Sequence, residues 1–210
     1  KCATNGTYLV IPLSASSSTY FHKYTTNGIT ATSVSSTRGS ANACSAIAYG
    51  NSSWISLSSL SGTANEQEYI ANANPSGSWT LGASTNLSMS STKGIAYGAG
   101  VFVAVGTSAS ATAGKIATTA TVGSAWTDRT SGSGITFGAS DSVSDIVFDG
   151  TAFVAVTSTG NIITSTTGTG TWTLAGQPMD LSTTTPLAGA ASWTGGGNTS
   201  HINSLSTDGS

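Results

Sequence analysis

The 210-residue sequence predicts an all-β protein built from repeated four-stranded antiparallel units, and three observations carry this prediction. Short apolar runs rich in Val, Ile, Tyr and Phe alternate with glycine turns along the chain. No apolar stripe with the 3.6-residue period of a helix is sustained. The hairpin pattern also recurs about every 50 residues, a period that is typical of repeat architectures.

The first half of each unit is a hairpin, and its clearest copy is "GIAYGAGVFVAVG", residues 94–106. Two apolar runs flank the turn Gly98-Ala99-Gly100, which is the ordinary signal for two antiparallel strands joined by a tight turn. Related stretches begin at Lys1, Ala46 and Asp145. In register, the first apolar position is occupied in successive copies by Cys2, Ile47, Ile95 and Ile146.

A third β-prone run and a tryptophan complete each unit. The runs begin at Tyr20, Glu68, Lys115 and Asn161. The tryptophans that open a fourth strand are Trp79, Trp126 and Trp172, which recur 47 and 46 residues apart. In the first unit, Ile29 stands where the tryptophan is expected. Four antiparallel strands in fewer than about 50 residues match a propeller blade, so the sequence predicts a β-propeller with the tryptophans packed between blades.

The period divides a single domain into four repeats, followed by a remainder. The repeats span residues 1–40, 41–88, 89–138 and 139–185, and an irregular segment with a partial fifth repeat spans 186–210. In that remainder, "INSLSTDGS" matches the start of the hairpin. The match places Leu205 in the first strand of a unit, here called the inner strand. Two alternatives stay open: a larger propeller that is cut there, or a ring that the last strand closes beside the first unit.

The composition argues against two classes of partner. Charged residues make up 7% of the chain and the net charge is −2, so no basic surface for nucleic acid or an anionic membrane is expected. No run approaches the ~18 apolar residues of a membrane-spanning helix. The two cysteines, Cys2 and Cys44, are compatible with one disulfide or with two thiols.

The tryptophan-containing turns resemble the BNR or Asp-box repeat of β-propellers, in which the third strand leads into S-x-D-x-G-x-x-W. "STTGTGTW", residues 165–172, matches best, with Thr167 in place of the aspartate. The resemblance covers most of residues 1–173. Such repeats occur in sialidases, other glycan-active or glycan-binding proteins, photosystem assembly factors and phage tail or fibre proteins. The variant "IAYGAGVFVAVG" on a Ser/Thr/Gly-rich chain looks most like repeats of phage structural proteins.

The residue types argue against catalysis. Sialidases hold the substrate carboxylate with three arginines, whereas this chain has only Arg38 and Arg129. Other glycosidases need two carboxylates on opposite sides of the bond that they cleave. One local acidic pair is Glu66 and Glu68, which we expect at a solvated edge where a loop enters a strand.

Metal and cofactor chemistry has no clear signal either. His22 and His201 are too few for a typical histidine metal site, and we expect both on the surface or in turns. The glycine-rich segments lack the lysine and the following helix of a phosphate-binding loop. No cofactor and no metal is predicted.

Three residues are candidates for ligand binding. Asp141 and Asp145 precede an inner strand, where propellers often place pocket residues, although solvated loop or turn-capping roles are the simpler interpretation. Trp193 lies outside the repeat period. Its indole could stack on a sugar ring, anchor a protein contact or cover the end of the core.

These observations predict a non-enzymatic structural or adhesion module of a phage virion, such as a tail fibre, tailspike or decoration protein. Its loops would face a host surface glycan or neighbouring virion proteins, in a virion or extracellular setting. Many copies would make weak sites sufficient. A secreted or cell-surface propeller lectin is the first alternative, and a glycosidase-like enzyme is the second.

Overall fold

A computed structural model describes residues 1–13, 20–35, 44–58, 67–83, 87–110 and 113–176. Within these ranges, sixteen strands form four antiparallel sheets of four strands each, and no helix occurs. Accordingly, no described segment is a helix that could cross a membrane. The predicted all-β class and the four-stranded units are confirmed, whereas the partial fifth repeat lies outside the described residues.

Each sheet is a meander in which consecutive strands pair, and we call each sheet a blade. The first blade contains β1 (Ala3–Thr4), β2 (Leu9–Pro12), β3 (Tyr20–Thr25) and β4 (Thr32–Ser35). The second contains β5 (Cys44–Gly50), β6 (Ser53–Ser58), β7 (Gln67–Ile70) and β8 (Thr80–Gly82). The third contains β9 (Met89–Gly98), β10 (Val101–Ser108), β11 (Gly114–Thr119) and β12 (Thr127–Asp128). The fourth contains β13 (Val143–Phe148), β14 (Phe153–Thr157), β15 (Ile162–Ser165) and β16 (Thr173–Gly176).

The core lies between the blades, in three layers of buried side chains. Trp79, Trp126 and Trp172 each lie in the layer shared with the preceding blade and are almost fully buried, as the repeat predicts. The second-strand aromatic residues at the equivalent core position are Trp54, Phe102 and Phe153. Large apolar side chains at repeated positions therefore hold neighbouring sheets face to face.

Two glycines at the ends of inner strands let the next blade approach closely. A Cβ at Gly50 would overlap the ring of Tyr97, and a Cβ at Gly98 would overlap the ring of Phe148. Both rings belong to the inner strand of the following blade. A glycine followed by an aromatic residue one repeat later is therefore a packing device that the chain uses twice.

The strand register corrects one sequence-based assignment in the first blade. Thr32 pairs with Tyr24, so the residue that precedes β4, as Trp79 precedes β8, is Ala31. Ile29, which was expected at this position, lies in the turn and is 89% exposed. The position equivalent to Trp79 therefore lies two residues later in the chain than the sequence match placed it.

The meander also separates two ends of the molecule. Turns that join the first to the second strand, and the third to the fourth, lie at one end of each blade, here called the turn end. Loops that join the second to the third strand, together with the connections between blades, lie at the other, the link end. Lys1 and the start of β13 therefore lie at the link end.

Candidate functional site

Asp145 is more deeply buried than Asp141, with 1% of its surface exposed. Its Oδ2 forms an ion pair with Lys1 Nζ, and its Oδ1 accepts a hydrogen bond of 2.8 Å from the backbone N–H of Ile146. A Cβ at Gly94 would lie 3.1 Å from the same Oδ1. Both carboxylate oxygens are thus engaged within the chain.

This pairing has a clear electrostatic reason. Removing a carboxylate from water costs several kcal/mol of free energy unless an opposite charge and hydrogen bonds replace its hydration. Lys1 supplies the opposite charge, and the Ile146 amide supplies a donor. Asp145 therefore has a structural role, because its ion pair with Lys1 joins the first and fourth blades.

Asp141 lies outside the strands, in the segment that leads into β13, and is also buried. Its Oδ1 accepts a hydrogen bond of 2.9 Å from Thr159 Oγ1, and its backbone N–H donates to Gly138 O at 3.0 Å. The side chain thus ties the loop after β14 to the segment before β13. Asp141 and Asp145 have different partners, and no contact between their carboxylates is observed. Trp193, the third candidate, lies outside the described residues.

The sequence did not reveal a buried polar cluster between the first and second blades. His22 Nε2 lies 2.6 Å from Ser56 Oγ, and Cys44 Sγ lies 3.0 Å from the same oxygen. The His22 ring stacks on Trp79, with centroids 4.2 Å apart and an interplanar angle of 19°. The expectation that His22 lies on the surface or in a turn is wrong, because β3 places it, like Tyr24, on the side that faces the second blade.

Glu68 belongs to the same region. It is fully buried and lies directly opposite Ser56 in the pairing of β6 with β7. The expectation of a solvated edge is therefore wrong for Glu68, while Glu66 lies outside the described residues. One feature of the sequence could have revealed this buried polar cluster. Ser56 is polar, whereas the equivalent residues of the third and fourth blades are Ala104 and Ala155.

The cysteines are not joined by a disulfide. Cys2 is exposed, whereas Cys44 is buried beside Ser56. Of the two alternatives that the sequence left open, the structure therefore has two thiols. Cys2 precedes β1 of the first blade, whereas Cys44 is the first residue of β5 in the second blade.

The distance between His22 and Ser56 is one that a base and a nucleophile could have. Both side chains are fully buried, so a substrate has no access, and their contact serves to join two blades.

Within the described ranges, no group of three or more His, Cys, Asp or Glu residues could hold a metal ion. Arg38 lies outside those ranges, and Arg129 Nε donates to Thr118 Oγ1 at 3.0 Å.

The turn end has a different character. Most residues of its exposed turns are small or polar, although the β3–β4 turn carries the exposed Ile29. The β13–β14 turn carries an acidic residue, Asp149. Backbone N–H groups of Ala152 and Thr151 donate to Asp149 Oδ1 at 2.7 and 2.8 Å, and they lower the pKa of this carboxyl below its ordinary value. The carboxylate thus stabilises its own turn while it remains exposed to solvent.

No protein-family model matches the chain, and no curated protein sequence matches it. Solved structures do resemble it. A structure described as YCF48 bound to D1 peptide superposes with a TM-score of 0.51 at 15% identity, covering 84% of this chain and 52% of the other. The GH74 enzyme of Niastella koreensis superposes with a TM-score of 0.51 at 17% identity, covering 82% of this chain and 23% of the enzyme.

The chain therefore spans about half of the YCF48 chain and about a quarter of the GH74 chain. Both similar proteins are β-propellers with four-stranded blades. At this identity the likeness establishes the fold and does not extend to activity. Together with the four meander sheets, it shows that the chain has the β-propeller fold.

Proposed function

We propose that the chain is a non-enzymatic binding module whose exposed turns contact a protein or glycan partner. The observation that carries this proposal is that acidic side chains of the described residues are buried or bind partners within the chain. Asp145 is paired with Lys1, Asp141 accepts from Thr159, and Glu68 is fully buried. Of the other described acidic residues, Asp128 pairs with Lys115 and Asp149 accepts hydrogen bonds within its own turn. A glycosidase needs two carboxylates that are free to act on opposite sides of the scissile bond.

The turn end is the proposed contact surface. Its residues are exposed and mostly uncharged, so recognition would rest on hydroxyl and amide groups rather than on charge. A similar propeller structure contains a bound peptide, which supports a protein segment as one class of partner. A structural or adhesion role in a phage virion, with host glycan or virion proteins as partners, remains our proposal for the biological setting.

Glycan and peptide arrays probed with the purified chain test this function. We expect binding of one class without release of reducing sugar from the glycans. Thr151→Arg, at an exposed turn, should weaken the binding. Leu81→Arg, at an exposed position of β8 in the second blade, is the matched control. Sugar release that is lost in Asp141→Asn or Asp145→Asn would contradict the proposal, and so would equal effects of the two arginine variants.

A further inference from the structure

Two turns at the turn end of the first blade contain an asparagine that is followed by a glycine. They are Asn5-Gly6, between β1 and β2, and Asn27-Gly28, between β3 and β4. In such a pair the backbone nitrogen of the glycine can attack the side-chain carbonyl carbon of the asparagine, because glycine has no side chain that hinders the approach. The attack closes a five-membered succinimide ring and expels ammonia. In a folded turn, its rate depends on which groups accept and supply the protons.

The hydroxyl group of Thr25 contacts both reacting groups of the Asn27-Gly28 pair. Thr25 Oγ1 accepts a hydrogen bond of 3.0 Å from the backbone N–H of Gly28, and it donates one of 3.0 Å to Asn27 Oδ1. The same oxygen accepts a hydrogen bond of 3.2 Å from the backbone N–H of Asn27. Thr25 ends β3 and is buried, so the strand holds its hydroxyl in place. One hydroxyl therefore links the amide that must lose a proton to the oxygen that must gain one.

The surroundings of Asn27 Oδ1 stabilise negative charge on this oxygen. Besides the Thr25 hydroxyl, it accepts hydrogen bonds from the backbone N–H groups of Ile29 at 2.9 Å and Thr30 at 3.0 Å. Negative charge develops on the carbonyl oxygen when a nucleophile attacks, and donors that are already in position stabilise it without reorganisation. Asn27 is also exposed, so water reaches its side-chain amide.

Asn5 makes a different set of contacts. The backbone N–H of Gly6 donates to Thr4 Oγ1 at 3.1 Å, but within residues 1–13 this hydroxyl makes no hydrogen bond to Asn5 Oδ1. Asn5 is half-buried, and its Nδ2, the nitrogen that would leave, donates to Ala73 O of the second blade at 2.9 Å. The link between the two reacting groups is therefore present at Asn27 and lacking at Asn5.

We propose that Asn27 and Gly28 form a succinimide in the folded chain and that Thr25 relays the proton. Gly28 N bonds to Asn27 Cγ as its proton passes to Thr25 Oγ1 and the Thr25 hydroxyl proton passes to Asn27 Oδ1. The bond from Cγ to Nδ2 then breaks, the carbonyl re-forms, and the proton on Oδ1 leaves with Nδ2 as ammonia. Water opens the ring at either carbonyl and yields an aspartate or an isoaspartate at position 27.

The aspartate product fits a turn that the chain already has. Asp149 Oδ1 accepts hydrogen bonds from the backbone N–H groups two and three residues later, as Asn27 Oδ1 does. Either product adds a negative charge to the turn end close to the exposed Ile29, and the isoaspartate also lengthens the backbone of the turn by one methylene. The proposal does not depend on the partner that the turn end binds.

Peptide mapping by mass spectrometry tests the reaction on the purified chain, kept folded at neutral pH and sampled over weeks. Trypsin separates the two sites because it cleaves after Lys23. We expect ammonia loss, followed by the acid, to occur at Asn27 about tenfold faster than at Asn5. Equal rates at the two asparagines, or an Asn27 that stays intact, would overturn the proposal.

Substitutions of Thr25 separate the relay from the rest of the turn. Thr25→Val keeps the branched shape without the hydroxyl and should slow the reaction at Asn27 about tenfold, whereas Thr25→Ser should restore most of the rate. Thr4→Val is the matched control and should leave the rate at Asn27 unchanged, because the Thr4 hydroxyl belongs to the other turn.

The same comparison in urea removes the folded turn, so Thr25→Val should then have no effect on the reaction at Asn27. A folded Thr25→Val variant that reacts at the rate of the unchanged chain or faster would contradict the relay. A Thr25→Ser variant as slow as Thr25→Val would contradict it too, and so would an equal effect of Thr25→Val in the folded and the unfolded chain.

Discussion

Lys1 and Asp145 form an ion pair between the first and fourth blades, and they occupy the same position of the repeat. Each residue immediately precedes the first apolar position of its inner strand. The equivalent residues of the second and third blades are Ala46 and Gly94, which are small. Ala46 and Gly94 leave room between the first and fourth blades at the link end. The opposite charges of Lys1 and Asp145 can therefore meet there.

The first prediction concerns this ion pair. Lys1→Met keeps most of the apolar stem but leaves the buried Asp145 carboxylate without the ammonium, so the free energy of unfolding should fall. Because Lys1 is 41% exposed, water screens the pair. We expect a loss of about 1 kcal/mol rather than the larger cost of breaking a fully buried pair.

Denaturant unfolding of Lys1→Met, Asp145→Asn and the double variant measures this coupling. In the double variant, the loss should be smaller than the sum of the two single losses, because the second change finds the pair already broken. Strictly additive losses would show that the two charges do not stabilise each other.

The second prediction concerns His22 and Ser56. Ser56→Ala removes the oxygen that lies 2.6 Å from His22 Nε2, and we expect it to cost about 1–2 kcal/mol because a buried polar atom loses a partner. The interface between the third and fourth blades has Ile116 and Ala155 at the corresponding positions. His22→Ile combined with Ser56→Ala should therefore recover most of the lost stability.

Thermal unfolding monitored by circular dichroism gives the comparison. His22→Ile alone is the control, because it leaves Ser56 facing an apolar side chain and should be less stable than the double variant. A double variant that is less stable than either single variant would mean that stacking of His22 on Trp79 outweighs the hydrogen bond.

The repeat made much of the fold predictable from the sequence. The nearly equal spacing of Trp79, Trp126 and Trp172 placed them between blades, and the hairpin of residues 94–106 and its copies form the first and second strands of the blades. A periodic pattern reports positions that every unit shares. It therefore predicts the common core and the strand order.

The site was less predictable because its residues break the pattern. Asp145 was identified as a candidate, but its partner Lys1 is separated from it by 144 residues, and no local motif connects them. His22 was expected on the surface or in a turn, and Glu68 at a solvated edge where a loop enters a strand, whereas both side chains are fully buried. Contacts between different repeats depend on how the blades pack, which spacing along one chain does not encode.

The third prediction tests the close approach of blades at Gly98. Gly98→Ala places a methyl group on the ring of Phe148, so one of the two inner strands must shift. We expect a loss of about 1–3 kcal/mol from overpacking. Gly138→Ala is the matched control, since a Cβ there meets no atom within 4 Å, and its effect should stay within about 0.5 kcal/mol.

Combining Gly98→Ala with Phe148→Ala separates overlap from backbone effects. Removal of the ring should make the added methyl group harmless, so the double variant should unfold at nearly the same denaturant concentration as Phe148→Ala alone. If Gly98→Ala costs as much without the ring as with it, the conformation of the glycine and not the overlap determines its effect.

The last prediction is a pH dependence of stability that arises from Asp128 in β12, the fourth strand of the third blade. Burial raises the pKa of Asp128, but hydrogen bonds from Lys115 Nζ at 2.5 Å and from the Thr130 backbone N–H at 2.9 Å outweigh it, and the pKa lies below the ordinary 3.8. A carboxyl whose pKa is lower in the folded state stabilises the protein above its unfolded pKa. That contribution is lost as the pH falls through the folded pKa.

Because Asp128 is partly exposed, Asp128→Asn should cost about 0.5 kcal/mol at neutral pH and nothing in strong acid. Unfolding curves of both proteins across this range measure the difference, and Lys115→Met should raise the pKa of Asp128 in an NMR titration. A stability difference that is constant with pH would contradict this assignment, because only the charged carboxylate gains from Lys115.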